Sequence, residues 1–224
     1  MTRRSVNPWL NYAIPDDDAV PSTEDVSGLT ALYRARQLQP RLEYIPSCAP
    51  AVEAILVANG YQVENRLSLM VYQPGSEREP PSPAWVSLSL ARSMEEFAAV
   101  RRVQHEGYGD PTPPTGADVE SLAASITAGG LAILASKADE PIGAGQYTPP
   151  HAGLVEVTSL AVREQHRRRG VAGALTTALT RAALQAGARP FLMADADEVR
   201  IYARAGYQRI GEILTVGLPA KVTR

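Results

Sequence analysis

The chain has 224 residues, 45% of them hydrophobic and 21% charged, which is typical of a globular protein with one large domain or two small ones. A net charge of −2 gives no global positive field that would attract nucleic acid or an anionic membrane surface. The single cysteine, Cys48, excludes an intramolecular disulfide, and the three histidines lack the spacing of metal ligands, so we expect no metal site. With no signal peptide and no apolar run long enough to span a membrane, we expect a cytoplasmic protein.

The first 72 residues predict an arm followed by alternating helices and strands. Residues 1–21 contain three prolines and an acidic triplet, Asp16 to Asp18, which favours a mobile or draped N-terminal arm. Residues 22–72 predict an α-β-α-β half-domain, with a helix from Ser22 to about Leu38, a strand over 41–45, a helix over 50–60 and a strand through Leu67 and Val71.

Residues 73–83 are rich in proline and are predicted to be a linker to a second domain, 84–224. Its elements, in chain order, are a strand over 85–91, a helix over 93–105 opened by a Ser93/Glu96 capping box, a helix over 118–128, a hairpin of strands 131–136 and 141–147 that turns at Asp139-Glu140, a strand over 154–162, a helix that ends before Gly187, a strand over 191–194, a helix over 197–204 and a closing strand from Gly206.

The stretch from Ser159 to Leu175 reads as a strand end, a basic turn with glycines, and the first turn of a helix. A helix N-terminus leaves several backbone N–H groups unpaired, and an anion can accept hydrogen bonds from all of them. Gly170 allows backbone conformations that a Cβ forbids, Ala172 and Gly173 keep the first helical turn small, and the arginines Arg167 to Arg169 add positive charge. The stretch therefore predicts a phosphate-binding turn held on rigid elements.

The first half of the chain resembles the second in the order of its short segments. Ala31–Ala35 aligns with Ala178–Ala182, and Asn59-Gly-Tyr-Gln62 aligns with Ala205-Gly-Tyr-Gln208. The first copy has the acidic triplet where the second has Arg167 to Arg169, and Leu56 where the second has Tyr202. An internal repeat and a chance similarity between two α/β segments both stay open, but the acidic copy should repel a diphosphate.

Three segments at fitting separations carry a resemblance to a known family. Leu160-Ala-Val162, Arg167-Arg-Arg-Gly170-Val-Ala172-Gly173 and Tyr202-Ala-Arg-Ala-Gly206-Tyr207, in the order β-α-α-β-β-β-α-β-α-β from Trp85 to about Gly217, resemble the GCN5-related N-acetyltransferase (GNAT) superfamily. The resemblance implies an α/β (α+β) fold with a mixed, mostly antiparallel central sheet flanked by helices. It also implies that the strand before the turn splays from its neighbour.

The resemblance further implies direct transfer of an acetyl group from acetyl-CoA to an amine, which could belong to a small molecule or to a protein or peptide. The implied cofactor-binding residues are Leu160, Ala161, Val162, Arg167, Arg168, Arg169, Gly170, Val171, Ala172 and Gly173. Backbone at Leu160 and Val162 would pair with the pantetheine, and the amides from Arg168 to Gly173 would hold the pyrophosphate. Tyr202 occupies the position that matches the family's general acid.

The residue types at these positions can be compared with what acetyl transfer to an amine requires. An ammonium has no lone pair, so the amine needs a base, and Glu156 on the strand before the turn is the first candidate, followed by Glu106 and His105. A backbone N–H near Leu160 could stabilise the oxyanion, and a tyrosine hydroxyl such as that of Tyr202 can protonate the leaving thiolate.

One departure from the family pattern is Asp195, where many members carry Asn seven residues before the tyrosine. A carboxylate has no N–H to donate to a pantetheine carbonyl, which places that contact in doubt. The adjacent Asp197 is predicted to cap the helix that carries Tyr202. A non-catalytic acyl-CoA sensor or scaffold therefore stays open as an alternative.

A homodimer also stays open, because a strand at the edge of the sheet and a strand that pairs across a dimer interface look alike in one sequence.

Overall fold

A computed structural model of the protein describes residues 11–76 and 83–219. The chain forms two compact units, which we call the N-terminal unit (residues up to 69 and from 210 onward) and the central unit (70–209). Two long strands, β2 (Gln62–Tyr72) and β8 (Tyr207–Gly217), contribute residues to both. Of the linker predicted at 73–83, residues 77–82 lie outside the described residues.

The N-terminal unit confirms the predicted order of helix, strand, helix and strand. Its elements are α1 (Thr23–Ala35), β1 (Arg41–Tyr44), α2 (Val52–Ala58), residues 62–69 of β2 and residues 210–217 of β8. Strand β1 pairs antiparallel with β8, from Arg41 opposite Gly217 to Tyr44 opposite Leu214. The helices pack on these strands through a buried cluster that includes Val26, Leu56 and Leu214.

The described part of the N-terminal arm lies along β1. Ala13 forms a parallel bridge with Leu42, donating its N–H to the Arg41 carbonyl at 2.9 Å and accepting from the Glu43 N–H at 3.1 Å. Further along, the Asp18 N–H donates to the Cys48 carbonyl at 2.6 Å. The arm is therefore draped in this region, while residues 1–10 lie outside the described residues.

The central unit contains most of the sheet and the helices that cover it. Its remaining elements are β3 (Ser87–Leu90), α3 (Met94–Gly107), α4 (Gly116–Thr127), β4 (Leu131–Lys137), β5 (Glu140–Tyr147), β6 (Leu154–Val162), α5 (Val171–Gln185), β7 (Arg189–Ala194) and α6 (Val199–Arg204). The strands follow the order β7-β6-β5-β4-β3, with β6 and β7 parallel and the other pairs antiparallel. The predicted mixed, mostly antiparallel sheet is confirmed.

The sheet of the central unit has a helix layer on each face. Alternate residues of a strand point to opposite faces, and Ile133 of β4 packs in the cluster that contains α5, whereas Leu134 packs in the cluster that contains α3 and α4. Helix α5 approaches the sheet closely over two glycines of β5, because a Cβ on Gly143 or Gly145 would lie 2.9 Å from a side-chain carbon of that helix. This close approach fixes the start of α5 beside the end of β6.

Two local predictions have clear outcomes. The capping box that opens α3 is confirmed, since Ser93 and Glu96 exchange both hydrogen bonds. The hairpin turn was placed one residue too late, because the two residues in the left-handed region are Ala138 (φ 46°) and Asp139 (φ 68°). Two consecutive residues with positive φ are what a two-residue turn between twisted strands requires.

The described ranges contain no helix that is both long and apolar enough to cross a membrane. Within the same ranges, His, Cys, Asp and Glu side chains form no group of three or more that could hold a metal ion.

Candidate active site

Strands β6 and β7 separate after three paired positions. Leu154, Val155 and Glu156 lie opposite Arg189, Pro190 and Phe191, and the described parts of the two strands show no later pair. Nevertheless β6 continues to Val162 and β7 to Ala194. The predicted splay is present, and it leaves an opening whose edges carry unpaired backbone groups.

A β-bulge changes the course of β6 inside this opening. Gln146 of β5 faces Thr158 and Ala144 faces Ala161, so Ser159 and Leu160 together lie opposite the one residue Gly145. Ser159 takes a left-handed conformation with φ 53°. A bulge leaves one residue outside the ladder, so a backbone group near Leu160 is available to a ligand.

A buried polar network holds the bulge in place. Gln104 of α3 is 3% exposed and donates from Nε2 to the Ser159 carbonyl at 3.0 Å. Its Oε1 accepts from Arg101 Nη1 at 2.9 Å, and its Nε2 also reaches Gln146 Oε1 at 3.3 Å. Because buried amides are costly when unpaired, this network fixes the position of the bulge relative to α3.

Tyr108, which the sequence analysis did not identify, lies against the same segment. It exposes 65% of its surface, yet its hydroxyl donates to the Leu160 carbonyl at 3.2 Å. Desolvation of this hydroxyl, together with the Glu198 carboxylate, raises the pKa of Tyr108 to about 12. The residue is the C-cap of α3, a position that carries no motif in the sequence.

The predicted general acid, Tyr202, lies on α6 and is 7% exposed. Its ring packs edge to face on Tyr207 at 6.5 Å, and its hydroxyl hydrogen bonds with the Glu198 carboxylate. Burial, followed by the Glu198 charge and the neighbouring Tyr108, raises the pKa of Tyr202 well above its usual value. The hydroxyl therefore stays protonated at physiological pH and is available as a proton donor.

The prediction that Asp197 caps α6 is wrong. The N-cap is Glu198, and no side chain caps the helix. Burial of the Glu198 carboxyl group raises its pKa, and the charge of the nearby Asp195 raises it further. The four-residue spacing of Glu198 and Tyr202, which brings side chains together on a helix, was the signal that could have identified this pair.

The candidate base Glu156 occupies the last paired position of β6, where the opening begins. Its neighbours Val155 and Val157 are buried in the cluster under α5, so alternation directs the half-buried Glu156 to the opposite face. Its N–H donates to Thr148 Oγ1 at 3.0 Å. Of the second choices, Glu106 forms an ion pair with Arg163 at 2.6 Å, and His105 Nδ1 lies 2.9 Å from the Thr112 carbonyl.

The first arginine of the basic turn has a structural role. Arg167 donates from Nε to the Val162 carbonyl at 3.0 Å and from Nη2 to the Gly107 carbonyl. It thereby ties the end of α3 to the end of β6. The two elements are in close contact here, since a Cβ on Gly107 would lie 2.7 Å from that of Ala161.

The rest of the turn presents backbone N–H groups. Arg168 (φ 58°) and Gly170 (φ 86°) are both left-handed, and α5 begins at Val171 without a side-chain cap. The N–H groups of Val171, Ala172 and Gly173 have no partner within the helix, because these are its first three residues.

The side chains of Arg168 and Arg169 line an open groove of about 540 Å³ at this end. A left-handed turn, small residues and a helix N-terminus form a cradle that fits a diphosphate.

The site therefore combines a cleft between splayed strands, a turn with unpaired N–H groups where β6 ends, and the protonated Tyr202, which lies near Tyr108. The acetyltransferase (GNAT) family model matches residues 96–211, just over half of the 224 residues. The chain belongs to this family, whose members use acetyl-CoA as the acyl donor.

Solved structures share the fold over most of the chain. A GCN5-related N-acetyltransferase from Kribbella flavida is 22% identical with a TM-score of 0.74, over 94% of this chain and 82% of that chain. One from Sphaerobacter thermophilus is 19% identical with a TM-score of 0.72, over 89% and 69%. A tandem GNAT protein from the clavulanic acid biosynthesis pathway is 13% identical with a TM-score of 0.62, over 88% and 70%. No curated protein matches the chain.

Proposed function

We propose that the protein is an N-acetyltransferase that transfers the acetyl group of acetyl-CoA to a primary amine, on a small molecule or on a protein or peptide, by direct attack in a ternary complex. The observation that carries this proposal is the continuity of the splayed strand β6 with the turn from Arg167 to Gly173. Such a cleft accommodates an extended ligand that ends in a diphosphate.

Acetyl-CoA supplies a thioester, an acyl group activated for attack by an amine. The backbone of Leu160, Ala161 and Val162 would bind its pantetheine arm along the unpaired edge of β6. The N–H groups from Arg168 to Gly173 would hold its pyrophosphate, and Arg168 and Arg169 would add positive charge. Arg167 contributes indirectly, because its guanidinium already binds two carbonyl groups.

The proposed catalytic groups are placed around the bulge. Glu156 acts as the base, directly or through water, and accepts a proton from the amine. A backbone N–H near Leu160 stabilises the charge that develops on the carbonyl oxygen. Tyr202 donates its hydroxyl proton to the leaving thiolate and is assisted in its orientation by Glu198.

A thiol-release assay with acetyl-CoA and a panel of small amines and amine-bearing peptides tests the proposal. We expect thiol release that depends on one class of amine, with an acetylated product of matching mass. Tight CoA binding without turnover on any amine would favour the alternative, an acyl-CoA sensor or scaffold, which Asp195 supports because it cannot donate to a pantetheine carbonyl.

We further propose that residues 22–72 are a degenerate half-copy of the same fold. In both copies a left-handed glycine precedes a buried tyrosine at the start of a strand: Gly60 (φ 87°) before Tyr61, and Gly206 (φ 94°) before Tyr207. Each tyrosine hydroxyl meets a helix threonine, Tyr61 with Thr30 at 2.8 Å and Tyr207 with Thr180 at 2.7 Å, although these two threonines stand at different positions of the aligned helices. Leu56, at the position of Tyr202, is buried and has no hydroxyl to donate.

A further inference from the structure

Four half-buried side chains form a strip on the face of the central sheet that α5 does not cover. Glu156 and Thr158 of β6 point to this face, because the residues between them pack under α5. In β7, Phe191 pairs with Glu156, and Phe191 and Met193 belong to none of the buried hydrophobic clusters of the described residues. These four residues, which we call the open strip, place a carboxylate beside apolar surface.

The guanidinium of Arg101, on α3, borders the open strip. Its Nη1 donates to Gln146 Oε1 at 3.4 Å, and Gln146 lies directly opposite Thr158 in the sheet. Alternate residues of a strand are about 7 Å apart, so the row that holds the guanidinium lies about that far from the row of Glu156. A cation and a carboxylate therefore lie one row apart on the same face.

The charge of Arg101 is not paired with a carboxylate in the described part of the chain. Its Nε donates to the Asp118 carbonyl at 3.2 Å, and its Nη1 donates to the side-chain oxygens of Gln104 and Gln146. Among the described residues Nη2 has no partner, and it is not fully enclosed. Burial lowers the pKa of Arg101, although the charge of Asp118 opposes this. A half-buried cation of this kind is stabilised by an anion at its unpaired nitrogen.

We propose that the acceptor is an α-amino acid with an apolar side chain, and that Arg101 binds its carboxylate while Glu156 lies beside its amine. This inference rests on the function proposed above. The two opposite charges match a zwitterion, whose ammonium and carboxylate groups are attached to one carbon, with a hydrogen bond of about 2.9 Å at each end. Phe191 and Met193 provide apolar surface for its side chain.

Arg101 acts on the choice of acceptor and not on the chemical step. In that step the amine nitrogen forms a C–N bond to the acetyl carbon, and the C–S bond of the thioester breaks. Of the two protons that the ammonium group loses, one passes to solvent through Glu156, and the other replaces the proton that Tyr202 gives to the thiolate. Because Arg101 exchanges no proton, its loss should change which amines are acetylated.

Two matched acceptors, L-phenylalanine and L-phenylalaninamide, test the proposal, since the second replaces only the carboxylate by a neutral amide. We expect kcat/KM for thiol release to be at least about tenfold higher with L-phenylalanine, because the amide leaves the guanidinium unpaired. Arg101→Gln should abolish this preference by lowering kcat/KM on L-phenylalanine alone. The control Arg102→Gln, at the exposed next residue of α3, should keep the preference.

A purely structural role of Arg101 predicts a different result. If the guanidinium only supports the network around Gln104, Arg101→Gln should lower kcat/KM on both acceptors by the same factor and raise KM for acetyl-CoA, which would overturn the proposal. Circular dichroism checks the fold of the variant. Equal kcat/KM for the two acceptors in the wild type would also overturn the proposal, and that comparison does not depend on the variant.

Calorimetric titration of L-phenylalanine into the protein at saturating CoA separates this inference from the proposed function. Binding that L-phenylalaninamide does not reproduce, without thiol release from acetyl-CoA, would support the acceptor site and contradict acetyl transfer. Thiol release with L-phenylalaninamide but no binding of L-phenylalanine would overturn the inference and leave acetyl transfer standing.

Discussion

Two buried tyrosines, Tyr202 and Tyr207, lie side by side but have different hydroxyl partners. Tyr202 bonds to the Glu198 carboxylate, whereas Tyr207 meets Thr180 at 2.7 Å inside the core. Tyr202→Phe should therefore keep CoA affinity and lower kcat by about 100-fold, the usual contribution of a proton donor. Tyr207→Phe is the matched control, and it should lose about 1 kcal/mol of stability with kcat unchanged. Equal kcat losses in the two variants would contradict the role of Tyr202.

Gln104 is a positioning residue, because it holds the Ser159 carbonyl at the bulge. Gln104→Leu should cost about 1–3 kcal/mol by leaving buried partners unpaired, and it should also raise KM for acetyl-CoA. Gln146→Leu is the control, since Gln146 belongs to the same network but takes part in it through its Oε1, which accepts from Arg101 and Gln104. A similar KM in both variants, measured well below their melting temperatures, would show that Gln104 only supports the core.

The sequence predicted the placement of individual residues where a local motif marks it. Gly170 and Tyr202 belong to motifs, and the structure places Gly170 in a left-handed turn before α5 and Tyr202, buried, on α6, while their roles stay predictions. Tyr108 and the Ser159 bulge were missed because tertiary contacts define them: Tyr108 acts through its hydrogen bond to Leu160, 52 positions further along the chain. Contacts between residues so far apart in the chain produce no periodic pattern in the sequence from which they could be predicted.

Helices α1, α3 and α4 each begin with a complete capping box, in which the N-cap hydroxyl accepts a hydrogen bond from the backbone N–H three residues later, and the carboxylate of that residue accepts one from the N-cap backbone N–H. In α4 the hydrogen bonds from the Thr115 side chain and backbone lower the pKa of Asp118 below 3.8. This contribution to stability is present above the unfolded-state pKa and is lost as pH falls through the lower folded-state pKa.

Thr115→Ala should therefore destabilise the protein by about 1 kcal/mol at neutral pH and reduce the loss of stability between about pH 5 and pH 2. Urea titrations across this range measure both effects. Thr127→Ala, in the last turn of the same helix, is the control, because its exposed hydroxyl only donates to the Ala123 carbonyl. An unchanged acid dependence in Thr115→Ala would contradict the capping account.

The sequence predicted the start of a helix correctly where the cap is formed by residues close together in the chain, and wrongly where it is not. Ser93 with Glu96 opened α3 as predicted, because both partners of the cap lie within four residues. Asp197 did not cap α6: that helix begins one residue later, at a site arranged around Glu198 and Tyr202.

At the scale of the molecule, two α-β-α-β segments each place a buried tyrosine after a left-handed glycine but differ in charge where a diphosphate would bind. Basic residues and a left-handed glycine at 167–170 favour an anion, and Asp16 to Asp18 disfavour one. The central claim is therefore that each chain binds one acyl-CoA, at the turn that precedes α5.

Isothermal titration of CoA into the wild type and into Gly170→Glu tests this claim most directly. Gly170→Glu places a side chain at φ 86°, with its Cβ 3.1 Å from Pro83 Cγ, and adds a negative charge to the turn. Gly187→Glu is the matched control, with φ 75° and no atom within 4 Å of its Cβ, beyond the other end of α5. We predict one CoA per chain in the wild type and in Gly187→Glu, and no detectable binding in Gly170→Glu; retained binding in Gly170→Glu would contradict the account.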